Sequence, residues 1–153
     1  MTTIRVELEG KEELERKLSK LSKAAATSIA KDAVDEGGAV VQFYAQLNAR
    51  NVFSNRQRGQ LRNSIRVESQ TTISGAEAEI GPHVIYGRIH EFGGTIKPIR
   101  AKLLHWVTDG VDHFAKQVTI PARPYLGPAV EEHRDQIIQV MKDAVADGIN
   151  DAI

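Results

Sequence analysis

An α+β domain is what this sequence predicts: a small, mostly antiparallel β-sheet packed with a long N-terminal helix, a short central helix and a C-terminal helix. Three observations carry that expectation. Apolar residues recur at three- and four-residue steps near both ends of the chain, through Leu14, Leu18, Leu21, Ala25 and Ile29 and again through Ile137, Val140, Met141, Ala144, Val145 and Ile149. The middle instead carries short alternating stretches separated by turn signals at Ser74-Gly75 and Asp109-Gly110. The length of 153 residues suits one hydrophobic core, so residues 1–153 are expected to form a single domain.

Taken in order, Ile4, Val6 and Leu8 alternate with Arg5, Glu7 and Glu9, the period of a half-buried strand. Gly10 follows. Glu12 and Glu13 then stand where a helix N-terminus favours acids, ahead of the first amphipathic run. Gly37-Gly38 costs about 1 kcal/mol per glycine against alanine inside a helix, so a kink or weak point is expected there. Val40, Val41, Tyr44 and Leu47 resume the helical spacing, with an end near Asn48. Asn51 to Gly59, polar apart from Val52 and Phe53, reads as an exposed, mobile loop.

Ser64–Gln70 and Ala76–Ile80 alternate about Ser74-Gly75, a hairpin closed by Gly81-Pro82. Ile85, Ile89 and Phe92 have helical spacing and lead into Gly93-Gly94, which marks a short helix and its stop. Two strands flank Asp109-Gly110, with Leu103, Leu104, Trp106 and Val107 before the turn and Phe114, Val118 and Ile120 after it. Gly127-Pro128 opens the last helix, proline being favoured at a first helical position.

Composition narrows the function classes. Twenty basic and twenty acidic residues cancel, which argues against a surface built throughout to neutralise phosphates. No cysteine is present, so neither a disulfide framework nor a thiolate metal site is available. No apolar run approaches membrane-spanning length, and Met1-Thr2-Thr3-Ile4-Arg5 lacks the apolar core of a signal peptide, so a soluble protein with no membrane partner is expected.

Candidate catalytic groups do not assemble into a known pattern. His90-Glu91 invites comparison with zinc hydrolases, which place two histidines one helical turn apart around a glutamate base, but Gly94 stands where the second ligand is needed. His83, His105, His113 and His133 have no complementary spacing. There is no Gly-x-Ser-x-Gly and no phosphate-binding glycine loop, leaving Glu91 and Asp109 as the acids a small hydrolase would use. The expectation is no enzyme, no cofactor, no metal and no small-molecule substrate.

Charge distribution says more. Between Gly37 and Val67 there is no acidic residue, while Arg50, Arg56, Arg58, Arg62 and Arg66 all fall inside. The C-terminal helix region is acidic, with Glu131, Glu132, Asp135, Asp143, Asp147 and Asp151 against Arg134 and Lys142. Three readings are open: a solvated surface, contact of the arginines with DNA, or contact between the arginines of one subunit and Glu131, Glu132 and Asp135 of the next. Phe92, Trp106, Phe114 and Tyr125 lack the interleaved cations of a base-stacking platform and read as core residues. Pro121 and Pro124 bracket Arg123 and stiffen the chain, either to present Arg123 and Tyr125 to a neighbour or to steer a strand into the last helix with Arg123 meeting local carbonyls or a carboxylate.

Two stretches, Tyr86-Gly87-Arg88-Ile89-His90-Glu91-Phe92-Gly93-Gly94 and Ile120-Pro121-Ala122-Arg123-Pro124-Tyr125-Leu126-Gly127-Pro128-Ala129, stand either side of the Asp109-Gly110 turn, and Gly59-Gln60-Leu61-Arg62-Asn63-Ser64-Ile65 precedes the first core strand. In order and spacing these resemble the neck, or tail-completion, proteins of long-tailed bacteriophages and prophages, over most of the chain. The resemblance implies a structural head-tail joining domain, working as one of several copies in a ring. Its implied partners are copies of itself, connector proteins beneath the portal and the tail terminator, with packaged DNA as a possible contact. The implied location is the virion, after assembly in the host bacterial cytoplasm. Gly93, Gly94, Pro121, Arg123 and Pro124 enter as structural motif residues. The alternatives are a nucleic-acid-binding module using the arginine loop, or a small hydrolase.

Overall fold

The computed structural model describes residues 19, 22–52 and 58–152. The expected first strand and the first half of the N-terminal amphipathic run lie outside them. Helix α1 (Lys23–Val52) is the spine. It starts where Ser22 Oγ accepts the amide of Ala25 at 3.1 Å, satisfying one of the donors a helix N-terminus leaves over. Helix α2 (Arg58–Ser64) leads into the antiparallel hairpin β1 (Ile65–Thr72) and β2 (Gly75–Pro82). Helix α3 (Gly87–Phe92) and strand β3 (Gly94–Ile96) follow. The hairpin β4 (Leu104–Thr108) and β5 (Val111–Ala115) comes next, then β6 (Val118–Ile120), helix α4 (Leu126–Glu131) and helix α5 (Arg134–Asp151).

The fold is α+β, with its strands in three separate two-stranded antiparallel sheets, β1-β2, β3-β6 and β4-β5. The β1-β2 hairpin turns its Ile65, Val67 and Ile80 side toward α1, leaving Arg66, Glu68, Gln70, Glu77 and Glu79 on the outer face. The core is small: Val41, Ala45 and Ala49 of α1 meet Leu61, Ile65, Tyr125 and Ala129, with Tyr44, Ile80, Val84, Tyr86, Leu126 and Ile137 packed around them.

The glycine pair does not break α1. Gly37 and Gly38 are buried inside it because two other elements need the space a side chain would take. A Cβ on Gly37 would lie 2.7 Å from Met141 of α5, and one on Gly38 would lie 2.7 Å from Val67 of β1. Gly148 on α5 repeats the device against Ile29, where a Cβ would sit 2.8 Å from Cγ1. Ile29 meets Gly148, Gly37 meets Met141, and Tyr44 stacks on His133 at 3.3 Å between ring centroids, so α1 and α5 lie antiparallel along their lengths. The helix cost of each glycine is offset by close packing on both sides.

Other expectations shift as well. Helix α1 runs past Asn48 to Val52, and the segment read as a loop to Gly59 is helical at both ends, with residues 53–57 outside the described set. The final helix is two: α4 begins at Leu126, ahead of Gly127-Pro128, and Glu132-His133 separates it from α5. Of the four aromatics assigned to the core, only Tyr125 is fully buried. Phe92, Trp106 and Phe114 are 74%, 40% and 63% exposed. Alternation places a side chain on one face of a strand, and for β4 and β5 the rest of the chain covers neither face.

Candidate functional site: a clamped joint beside an apolar groove

The two sequence stretches that stood apart meet in space, and Glu91 holds them together. It is 8% exposed, and its carboxylate accepts three consecutive backbone amides: Tyr125 N at 2.8 Å and Leu126 N at 3.0 Å on Oε2, and Gly127 N at 2.8 Å on Oε1. Helix α4 needs this. Its N-terminal donors have no capping side chain of their own, because Tyr125 occupies the cap position. A carboxylate from α3 fills the role, and hydrogen bonds to an ionised acceptor are stronger than neutral ones.

Further contacts close the joint. Arg123 N donates to His90 O at 2.7 Å, and Tyr125 Oη donates to Gly87 O at 3.2 Å. Burial, and then the neighbouring Glu91 charge, push the Tyr125 phenol well above its ordinary range, so it stays protonated as a donor. Asn48 Nδ2 donates to Tyr125 O at 3.2 Å and ties the joint to α1. Gly87 lies directly under Pro82 with the Tyr125 hydroxyl beside it, leaving no room for a side chain. Gly93 ends α3 at φ 70°, ψ 178°, a region open essentially to glycine alone, and a Cβ there would sit 2.7 Å from Ala122 N. Gly94 then pairs with Ile120 to start the β3-β6 ladder.

Among the motif residues named from sequence, Gly93 and Gly94 sit at the joint itself, and Pro121, Arg123 and Pro124 form the exposed strand of chain that crosses it. Arg123 meets a local carbonyl through its backbone. Its charge, after burial, is the second cause that holds His90 below the usual histidine range. Tyr125 is buried, so the reading in which it is presented to a neighbour is overturned. Glu91 was missed as a structural centre. The signal was present: a helix opening at Tyr125-Leu126-Gly127 with no Ser, Thr, Asp or Asn to cap it needs an acceptor from elsewhere.

The joint forms one wall of an apolar groove of about 560 Å³, lined by Val41, Ile80, Pro82, Val84, Phe92 and Val130 among others, with Glu79 and Arg88 as its exposed charges. Glu91 also lines it, but its two oxygens are engaged by the three amides. Among the described residues, no group of three or more His, Asp or Glu side chains is placed to hold a metal. No helix among them is long and apolar enough to cross a membrane.

The charged candidates lie elsewhere. Arg50 and Arg62 are exposed and share a shallow depression with Phe43, Gln46 and Leu47, whereas Arg66 points outward from β1. Arg56 lies outside the described residues, and of Arg58 only its place at the start of α2 is described. Glu131, Glu132 and Asp135 are exposed around the α4–α5 junction. Among the described residues, no salt bridge joins Arg50, Arg62 or Arg66 to these acids.

A family model described as "Bacteriophage HK97-gp10, putative tail-component" matches residues 12–93. Comparison with curated proteins and with solved structures gave no match. The matched span ends at the glycine that stops α3, so it includes Glu91 but not the segment that Glu91 clamps. Since the match takes in more than half of the chain, the protein belongs to the HK97-gp10 family of bacteriophage tail components.

Proposed function

We propose that this tail component is a structural protein of the head-tail connector, completing the neck or the top of the tail as one of several copies in a ring. The observation that carries the reading is the pairing of a rigid joint with uncovered apolar surface. The fold commits buried Glu91, Gly87 and Gly93 to holding its own chain. It leaves Phe43, Leu47, Phe92, Val107, Val111, Phe114 and Val130 exposed, more than a free-standing protein of this size ordinarily carries in concentrated patches. A protein that finishes its surface only among neighbours fits that description.

Its partners are then copies of itself, the connector proteins and the tail terminator, within the virion after assembly in the host cytoplasm. Arg50 and Arg62 beside Phe43 and Leu47 offer a contact for an acidic partner surface. Subunits in a ring meet head to tail, so an arginine-rich patch and the acids Glu131, Glu132 and Asp135 supply two unlike surfaces of the required kind. Removing the gene from the phage or prophage that carries it is expected to leave filled heads and finished tails unjoined, with joining restored by the intact chain. Joined, infectious particles in its absence would overturn the reading. Reversing Arg56 and Arg58 to glutamate is expected to reduce joining, with partial rescue by Glu132→Lys and Asp135→Lys. Failure of rescue together with leakage of DNA would assign the arginines to DNA instead.

A further inference from the structure

The hairpin of β4 and β5 is an arm without a seat. Its two strands pack chiefly on each other, and its root is set by the β3-β6 ladder. Asp109 at φ 52° and Gly110 at φ 80° make the tight turn at its tip, the left-handed pair that a two-residue hairpin requires. Register puts Trp106 opposite His113 on one face and His105 opposite Phe114 on the other, and both pairs are stacked, at 5.3 and 4.7 Å between ring centroids. Val107 and Val111 are more than half exposed beside them. An isolated two-stranded hairpin is marginal in water, and one with aromatics on both faces gains most by being covered.

The same chain carries an uncovered apolar groove of about 560 Å³ next to the joint, and no residue of the arm lines it. The charges of the two features match in order. The foot of the arm is basic, with exposed Lys97, Arg100, Lys102 and Lys116, while Asp109 and Asp112 lie at and near its tip. The flank of the groove is acidic, with exposed Glu68, Glu77 and Glu79 on the outer face of β1-β2, while Arg88 lies in the groove itself. An arm entering tip first would bring its acids to Arg88 and its basic foot to the glutamates.

We propose that the occupant of the groove is the β4-β5 arm of a second copy of this chain. The contact is heterologous, one surface against a different one, so its repetition generates a ring when the rotation closes. This rests on the ring reading above and adds its interface. Duplex DNA suits the arm less well, because its aromatics stack on its own histidines and its tip is acidic, whereas a base-stacking strip interleaves aromatics with cations.

The chain has no cysteine, so introduced thiols report cleanly. Val107→Cys on the arm and Val130→Cys in the groove are both at exposed positions. A disulfide needs Cα atoms within roughly 7 Å, so a bond between them records direct contact. Full-length single variants are mixed over a concentration series and oxidised. The arm-groove heterodimer is expected on the order of tenfold above a Val107→Cys with Ile73→Cys control, since sites held together react as if intramolecular. The Val107→Cys/Val130→Cys chain is expected to give a ladder ending in a closed species. A bond formed only within one chain would overturn the proposal, placing the arm in its own groove. No such bond, with oligomers still trapped by a lysine-reactive cross-linker, would overturn this contact and leave the ring reading standing. Oligomers by neither route would remove both. Salt-dependent duplex DNA binding lost in Lys102→Glu/Lys116→Glu, without the arm-groove bond, would make the arm a DNA contact.

Discussion

The joint and the arm are both built from motif-like sequence around glycine turns, yet they differ in what the rest of the chain does for them. At the joint, Glu91, Gly87, Gly93 and Tyr125 are each held by contacts from other elements, and Glu91 has its carboxylate oxygens taken up by backbone amides. On the arm, Trp106, Val107, Val111 and Phe114 are packed by little beyond the arm itself. The contrast separates two uses of an apolar or charged side chain: the joint stabilises the subunit, and the arm leaves stabilisation for a neighbour to supply.

Breaking the joint gives the largest expected effect. Glu91→Ala strips an acceptor from three amides, at about 1–3 kcal/mol for each buried donor that water does not reach, so a loss of ~3 kcal/mol or more in urea unfolding is expected. Glu91→Gln keeps one acceptor oxygen and should cost about half as much. A loss for Glu91→Ala within the noise of a surface substitution would show that the amides find water and that Glu91 is no clamp. Next comes Gly93→Ala, which forces a side chain into a glycine-only backbone region and against Ala122 N, at about 2–3 kcal/mol. A melting curve unchanged from the parent would contradict the close approach.

Smaller effects grade the glycines of α1. Gly38→Ala meets the branched Val67, which cannot swing aside on a strand, and should cost about 1–2 kcal/mol. Gly37→Ala meets the flexible end of Met141, so the clash is largely offset by the gain of about 1 kcal/mol in helix propensity. Equal losses at the two positions would mean that neighbour stiffness does not decide the outcome.

A pH effect sharpens the same comparison. Burial, and then Arg123, lower the pKa of His90 in the folded state, so the unfolded chain binds the proton first as pH falls. Stability is therefore full above about 6.5, the ordinary histidine value, and declines below it until the folded-state pKa is passed. His90→Gln should flatten that limb of the unfolding midpoint against pH, and an unchanged limb would assign it to other groups.

Much of the fold was legible because it is written locally. Ser74-Gly75 and Asp109-Gly110 mark both hairpin turns, Gly93 marks the end of α3, and the amphipathic run from Ile137 marks α5. What was not legible depended on distance. The cost of Gly37 and Gly38 can be read from a helix taken alone, but the gain comes from Met141 and Val67, far away in sequence. Val40 and Leu47 looked like the buried stripe of α1, whereas the side that packs is the smaller one through Ala33, Val41, Ala45 and Ala49. Glu91 drew notice as a catalytic acid because its role lies with amides more than thirty residues on. Trp106 and Phe114 were assigned inward because alternation gives a face and says nothing of what covers it.

The central claim is that stability and assembly reside in different parts of this subunit, and one paired measurement on Val107→Ser/Phe114→Ser tests it most directly. Both positions are exposed on the arm, so the urea unfolding free energy is expected to stay within about 0.5 kcal/mol of the parent, as surface substitutions do. In the carrying phage, the same chain is expected to fail at joining heads to tails. A loss of stability comparable to that of Glu91→Ala, or joining that proceeds at the parental yield, would contradict the account.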